Sequence, residues 1–238
     1  MKTPHSLFPS VFAFPPHRKT LGGTAYFIQH SPSPHNPNPN DSSPNDPSPN
    51  NPNHNILVDC PPWTPETAEF LQQRGGVRWL FLTHRNAIAD VGAIQAELGC
   101  EVVIQEQEAY LLPEIPTQVF QREIQLGDRA VGFWTPGHSP GSACLYWAGE
   151  GGILFSGRHL LPNPQGELAP LRTSKTFHWP RQLRSVQTVI DRFNAKTLSY
   201  ICPGANVGFL RGKGMFDQAC THLAAIAAPS TPSPEPYA

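Results

Sequence analysis

Residues 31–55, SPSPHNPNPNDSSPNDPSPNNPNHN, hold eight prolines and eight asparagines. Proline removes a backbone donor, and nothing in this stretch can be packed into a core, so it reads as a disordered surface loop. It constrains the fold because it separates two strand-like runs, TAYFIQ (24–29) and ILVDC (56–60). Neither flank is long enough to fold without the other. The insert is therefore expected to be an elongated hairpin connection rather than a domain boundary, since added loop length costs little closure entropy.

After the insert, strands and helices alternate. Thr64-Pro65 places a hydroxyl at an N-cap and proline at the first helical position, starting a helix toward Gly75. VRWLFLT (77–83) reads as a buried strand, and DVGAIQAEL (90–98) as a helix with Asp90 at its start and Gly99 at its stop. EVVIQ (101–105) is a strand and EQEAYLL a short helix. Gln105, Glu106 and Glu108 are expected to be solvated at its start. Strands are expected at VFQREI and VGFWT, and a hairpin at ACLYWA and GILFS. Residues 181–193 form an amphipathic helix, with Leu183, Val186, Ile190 and Phe193 on one stripe. LSYIC (198–202) is a last strand and MFDQACTHLAAIAA a last helix. Trp79, Phe81, Phe133 and Trp134 fall on strand runs and are expected in the core. The pattern defines one α/β domain (α+β by some schemes) over residues 20–226, with a mixed sheet or two packed sheets. Residues 1–19 are expected to be poorly defined, and 227–238 a disordered tail.

The charge balance, 17 basic against 18 acidic side chains, supplies no long-range attraction to nucleic acid or an anionic membrane. No apolar run is long enough for a membrane span. Prolines interrupt the first twenty residues, so no secretory signal is expected. The five cysteines include no CxxC pair and sit in apolar surroundings, which predicts reduced, buried thiols in a cytoplasmic protein.

Four loops follow strand ends and carry polar residues: THRNAIAD (83–90), TPGHSPGSA (135–143), SGRHLLP (156–162) and CPGANVGFLRGKG (202–214). Such positions commonly hold ligands in α/β proteins. In TPGHSPGS, two Pro-Gly turns hold His138 rigidly, which suits a ligand or acid–base group. Ser139 and the neighbouring glycine amides could support a small anion. GFLRGKG lacks P-loop spacing, so no nucleotide site is expected.

The order of these loops resembles the metallo-β-lactamase fold superfamily over roughly residues 20–226. LGGTAYFI…ILVDCPP resembles its opening hairpin, with Asp59 in the turn. FLTHRNAIAD resembles its T-H-x-H-x-D-H strand end, TPGHSPGSACLY its T-P-G-H-T-x-G loop, ILFSGRHL its L-F-x-G-D strand, and YICPGANVG its P-G-H-G loop. The resemblance implies an αββα four-layer sandwich and a metallo-hydrolase.

Carried over position by position, the family's metal ligands fall on His84, Asp90 and His138. Asn86, a poor zinc ligand, stands at the second histidine's spacing. Val91, Arg158 and Ala205 replace the next histidine, the bridging aspartate and the final histidine. Arg158 brings a fixed positive charge to the place of an anionic bridge, so a dinuclear centre is not expected. A desolvated guanidinium needs a partner, and Asp90 is expected to pair with it. Arg211 and Lys213 are expected to extend a cationic rim. His159 and His178 are further ligand-contact candidates, set against core packing for His159 and a helix-start role for His178.

Two functions follow. In the first, the site has lost its metals, needs no cofactor, and binds a small anion or a protein partner through Asp90, His138 and Arg158. In the alternative, an active thioester or phosphoester hydrolase uses a single zinc, iron or manganese ion held by His84, Asp90 and His138.

Overall fold

A computed structural model describes residues 3–30 and 54–227. Most of the expected insert (31–53) and the expected tail (228–238) lie outside these residues. The seven-stranded first sheet takes its strands in chain order. They are β1 (His5–Phe8), β2 (Val11–Ala13), β3 (Tyr26–Ile28), β4 (Ile56–Val58), β5 (Trp79–Phe81), β6 (Glu101–Gln105) and β7 (Thr117–Phe120). Pairing is antiparallel from β1 to β4 and parallel from β4 to β7. The second sheet uses β8 (Glu123–Leu126), β9 (Ala130–Trp134), β10 (Ala143–Trp147), β11 (Ile153–Gly157) and β14 (Tyr200–Pro203), in the order β14-β11-β10-β9-β8. A small ribbon, β12 (Leu161–Pro162) with β13 (Leu168–Ala169), lies apart.

The central strands are buried on both faces, so they read as apolar runs and their alternation sorts side chains between layers. Ile56, Val58, Trp79 and Phe81 enter a core between the sheets, opposite Leu145, Trp147, Ile153 and Phe155. Leu57, Leu80, Val102 and Ile104 face outward into a second core. That core is covered by α1 (Pro65–Gln72) and α2 (Val91–Leu98). Cys144, Leu154 and Ile201 face a third core under α3 (Trp179–Arg192) and α4 (Ala219–Ala227). Three apolar cores between four layers give the αββα sandwich.

Local signals hold at the helix ends. Thr64 caps α1 with Pro65 next to it, Asp90 stands at the N-cap of α2, and Gly99 closes α2 at a φ of 64°. The hairpins β3–β4 and β10–β11 form as expected.

Four expectations change. Residues 3–19, within the segment expected to be poorly defined, carry β1 and β2, which extend the first sheet. VFQREI is not one strand: β7 ends at Phe120, β8 begins at Glu123, and the two belong to different sheets. Leu183 is 43% exposed and leaves the expected stripe of α3; Val186, Ile190 and Phe193 do pack on the core, joined by buried Gln182, Ser185 and Val189. Gln105 and Glu108 are not solvated but fully buried, because the 3₁₀ turn Glu106–Leu111 folds back against the loop containing Gly141.

Candidate functional site

The strand-end loops of both sheets meet at one edge of the sandwich. Asp59 follows β4 with a left-handed φ of 61°, and its carboxylate turns back toward the end of β5. Oδ1 accepts from the Thr83 amide and Oδ2 from the Thr83 hydroxyl, both at 2.8 Å. Thr83 Oγ1 lies 2.9 Å from His84 Nδ1. Because the threonine proton is committed to Asp59, the histidine must donate from Nδ1. This leaves the Nε2 lone pair bare. That nitrogen is buried without a hydrogen-bond partner. Gly157 makes the arrangement possible: a Cβ there would sit 2.5 Å from Thr83 Oγ1.

The loop 135–141 is held from several sides. Trp134 Nε1 donates to Pro140 O at 2.8 Å, and Ser185 Oγ to Pro136 O at 2.8 Å. Phe177 and His178 donate their amides to the carbonyls of His138 and Gly137. His138 is thereby set against His84 in an edge-to-face contact, with ring centroids 5.3 Å apart. The Ser139 amide is spent on Ser142 Oγ and the Gly137 amide on Ser139 O, so neither is available to an anion. Ser139 still lines the outer basin described below.

Arg158 follows β11. Among the described residues no ion pair joins it to Asp90. Its Nη2 donates to Leu21 O at 2.9 Å, its Nε is buried without a partner, and the carboxylate that acts on it is Asp59. The expected Arg158–Asp90 pair is therefore replaced by an Arg158–Asp59 interaction and a latch on the loop at Leu21. The spacing explains why. Two extra residues between His84 and Asp90, relative to the family motif, accommodate a 3₁₀ turn (Arg85–Ala87), and Asp90 then begins α2.

Two cavities share this edge. The inner one, about 10 Å³ or roughly one water, is lined by Thr24, Asp59, His84, Asn86 and Arg158, among others. The outer basin, about 220 Å³, is lined by Arg85, Asn86, His138, Ser139, Lys175 and Phe177, among others. Arg211 and Lys213 are exposed and line neither, so they do not form its rim. Arg85 and Lys175 take that position. Arg85 also pairs with buried Glu108 at 3.0 Å. No motif announces this pair, although Gly141 is needed for it: a Cβ there would sit 2.7 Å from Glu108 Cγ.

His178 is exposed and caps α3, its Nδ1 accepting from the Arg181 amide at 3.1 Å, so it starts the helix rather than lining the basin. His159 is 1% exposed, and neither ring nitrogen has a hydrogen bond of normal geometry, although the Ser185 backbone is close.

The electrostatics follow from burial. Desolvation lowers the pKa of His138 to about 4, helped by the cations Arg158, Arg85 and Lys175. Burial likewise takes His159 to about 4 and holds His84 well below the ordinary histidine range, with His138 and Arg158 adding to the effect at His84. Asp59 is raised to about 6 by burial, against the opposing Thr83 bonds and Arg158. All three histidines are neutral at pH 7.

A dinuclear metal centre does not fit these side chains. His84 Nε2 has the character of a metal ligand. However, His84, Asp90 and His138 do not bring three ligand atoms within 4.8 Å of one another, and among the described residues one group of three does so elsewhere: His30, His54 and Asp128. Arg158, which cannot give up its proton, lines the same inner cavity as His84.

The family model "Metallo-beta-lactamase superfamily" matches residues 90–200. Among solved structures, the chain is similar to a metallo-β-lactamase superfamily protein from Sulfolobus tokodaii (11% identity, 95% of this chain and 89% of that one, TM-score 0.56). It is also similar to a metallo-β-lactamase family protein from Thermus thermophilus (18%, 92% and 79%, TM-score 0.57). A third match is a HARLDQ-motif mutant metallo-β-lactamase from Cronobacter sakazakii (14%, 94% and 94%, TM-score 0.56). No curated protein matches by sequence. The chain has the metallo-β-lactamase fold, and residues 90–200 match that superfamily's model.

Proposed function

We propose that this chain keeps the metallo-β-lactamase scaffold without its dinuclear centre and binds a small anion in the outer basin. The observation that carries this reading is the charge around His138. Arg158, Arg85 and Lys175 all act on a ring that stays neutral. An anion in the basin would meet Arg85 and Lys175, which line it, beside an imidazole able to donate or accept a proton, with Arg158 acting from the inner cavity. Arg158 then replaces the metal charge rather than holding a metal, and Asp59 compensates it from below. Buried free thiols fit a reducing compartment such as the cytoplasm. No helix among the described residues is long and apolar enough to cross a membrane.

Inorganic phosphate, titrated while the His138 ring resonances are followed by NMR, tests the reading. Phosphate is expected to perturb those resonances, and Arg158→Met, which removes a charge acting from the inner cavity rather than a direct contact, to weaken binding a few-fold. Arg211→Met is the control and is expected to change nothing. Equal affinity in wild type and Arg158→Met would overturn the assignment.

The bare Nε2 of His84 favours a second reading, a hydrolase with a single metal in the cleft. Metal-dependent hydrolysis of a thioester or phosphodiester by wild type, lost in His84→Ala, would establish it in place of the first. Bound metal attributable to the cleft is the difference between wild type and a His84→Ala, His138→Ala double variant. The proposal expects that difference to be far below one equivalent.

A further inference from the structure

The segment 31–53 leaves and returns through a polar neck. The His54 amide donates to His30 O at 3.1 Å, and the His30 amide donates to Asn55 Oδ1 at 2.8 Å. Asn55 Nδ2 in turn donates to the carbonyls of Arg74 and Gly76 at 3.0 and 2.9 Å. Together these bonds fix the backbone positions from which both histidines project. Their rings lie 5.9 Å apart, tilted by 53°. Asp128, from the turn between β8 and β9 of the other sheet, places Oδ1 2.7 Å from His30 Nε2. Ligand atoms of all three residues lie within 4.8 Å of one another. Gly127, with a φ of 65°, opens the turn toward His54: a Cβ there would lie 3.1 Å from His54 Nδ1. Trp79 walls the cluster on another side, 5.6 Å from the His54 ring.

We propose that His30, His54 and Asp128 form a divalent transition-metal site that clips the neck of the 31–53 segment to the second sheet. Two imidazoles and one carboxylate are a borderline-soft donor set, suited to zinc and its neighbours rather than to calcium or magnesium. Ligand atoms around a tetrahedral zinc lie roughly 3.3 Å apart, given zinc–ligand distances of about 2.0–2.1 Å. The observed spacing reaches that value with small side-chain adjustments. His30 is 7% exposed and Asp128 48%, so the ion would sit at the surface with its fourth position open to water. A His30–Asp128 ion pair would need only two of these residues. The metal uses the third, and it explains why histidines from both ends of the segment meet a carboxylate from the other sheet.

The test uses the full-length protein, stripped with a chelator, dialysed, and titrated with zinc chloride by calorimetry. Cobalt(II) absorption reports the coordination geometry. Wild type is expected to bind one equivalent at this site. His54→Gln and Asp128→Asn should each weaken binding by roughly 100-fold or more, since even outer-shell changes cost 10–100-fold. Zinc should raise the melting temperature of wild type but not of these variants, provided far-UV circular dichroism shows both folded. The His84→Ala, His138→Ala double variant should bind at this site like wild type. The proposal fails if His54→Gln and Asp128→Asn bind zinc as tightly as wild type. It also fails if binding disappears only in the cleft variant, or if wild type takes up no zinc at concentrations well above its own. Because the cleft variant is scored separately, failure of the clip and failure of the anion-binding reading give different results.

Discussion

β4 carries a histidine-bearing cluster beyond each of its ends. Before Ile56, His54 joins His30 and Asp128; after Val58, Asp59 orients Thr83 and His84 opposite His138 and Arg158. The second cluster has the family's sequence motifs but does not gather a three-ligand set. The first matches no metal motif in the sequence and does gather one. The difference is one of charge placement. At the cleft the third position is a guanidinium that no ligand exchange can neutralise, whereas at the neck it is a half-exposed carboxylate. Motif order located the fold's working edge, but metal competence depends on which donors arrive within a few ångströms of each other.

The largest effect expected at the cleft comes from Gly157→Ala. Gly157 has a φ of 52°, and an added methyl would meet Thr83 Oγ1. A non-glycine residue in that conformation costs about 1–2 kcal/mol. Displacing the Thr83 hydroxyl from Asp59 and His84 adds about 1–1.5 kcal/mol. A loss near 3 kcal/mol in urea unfolding is expected. A change below 0.5 kcal/mol would mean that the Asp59–Thr83–His84 chain contributes little. The neck cluster should be unaffected, with unchanged zinc affinity.

Acid separates the two regions next. His138 and His159 are held at about 4 in the folded chain, against an ordinary histidine value of about 6.5 when unfolded. Between those values the unfolded chain binds more protons, so stability falls as pH drops from about 6.5 toward 4. At pH 5 each of the two costs about 2 kcal/mol. Asp59 acts in the opposite direction. Its folded value of about 6 lies above the unfolded one, so the folded chain binds the extra proton as pH falls, and roughly 1.4 kcal/mol is returned by pH 5. A net loss is expected between pH 6.5 and 5 in urea midpoints. His159→Gln, which removes one titrating ring without touching the basin, should flatten the slope. An unchanged slope in that variant would place the acid sensitivity elsewhere.

Much of the fold was legible because buried strands in this architecture must be apolar on both faces, and ILV, WLF and ILFSG could hardly be anything else. The loop at His138 was legible because two Pro-Gly pairs impose a rigid turn wherever they occur. The partner of Arg158 was not legible. Asp59 and Asp90 are both plausible carboxylates by type, and the choice between them is made by the parallel pairing of β4 with β5, which brings the Asp59 turn beside Thr83. Glu108 was misread as solvated because its burial depends on a missing side chain at Gly141, far away in sequence. The neck cluster was hidden for a related reason. Its three residues are isolated in the sequence, two of them bracketing an Asn/Pro run, and they meet only once the hairpin and the second sheet are in place.

The smallest effect expected bears on whether the basin works by charge. Arg85 lines the basin but is bound to Glu108, which is fully buried while Arg85 is 36% exposed. Glu108→Gln keeps the side-chain volume and removes the countercharge. Because Arg85 stays partly solvated, the stability cost should be small for a broken pair, about 1 kcal/mol. Its guanidinium is then free to act on the basin, so phosphate should bind a few-fold tighter, the opposite sign to Arg158→Met. The salt dependence of phosphate binding should steepen with the added positive charge. If Glu108→Gln weakens phosphate binding instead, the Arg85–Glu108 pair positions the basin rather than merely neutralising it. The contrast with the neck cluster would then lie in geometry more than in charge.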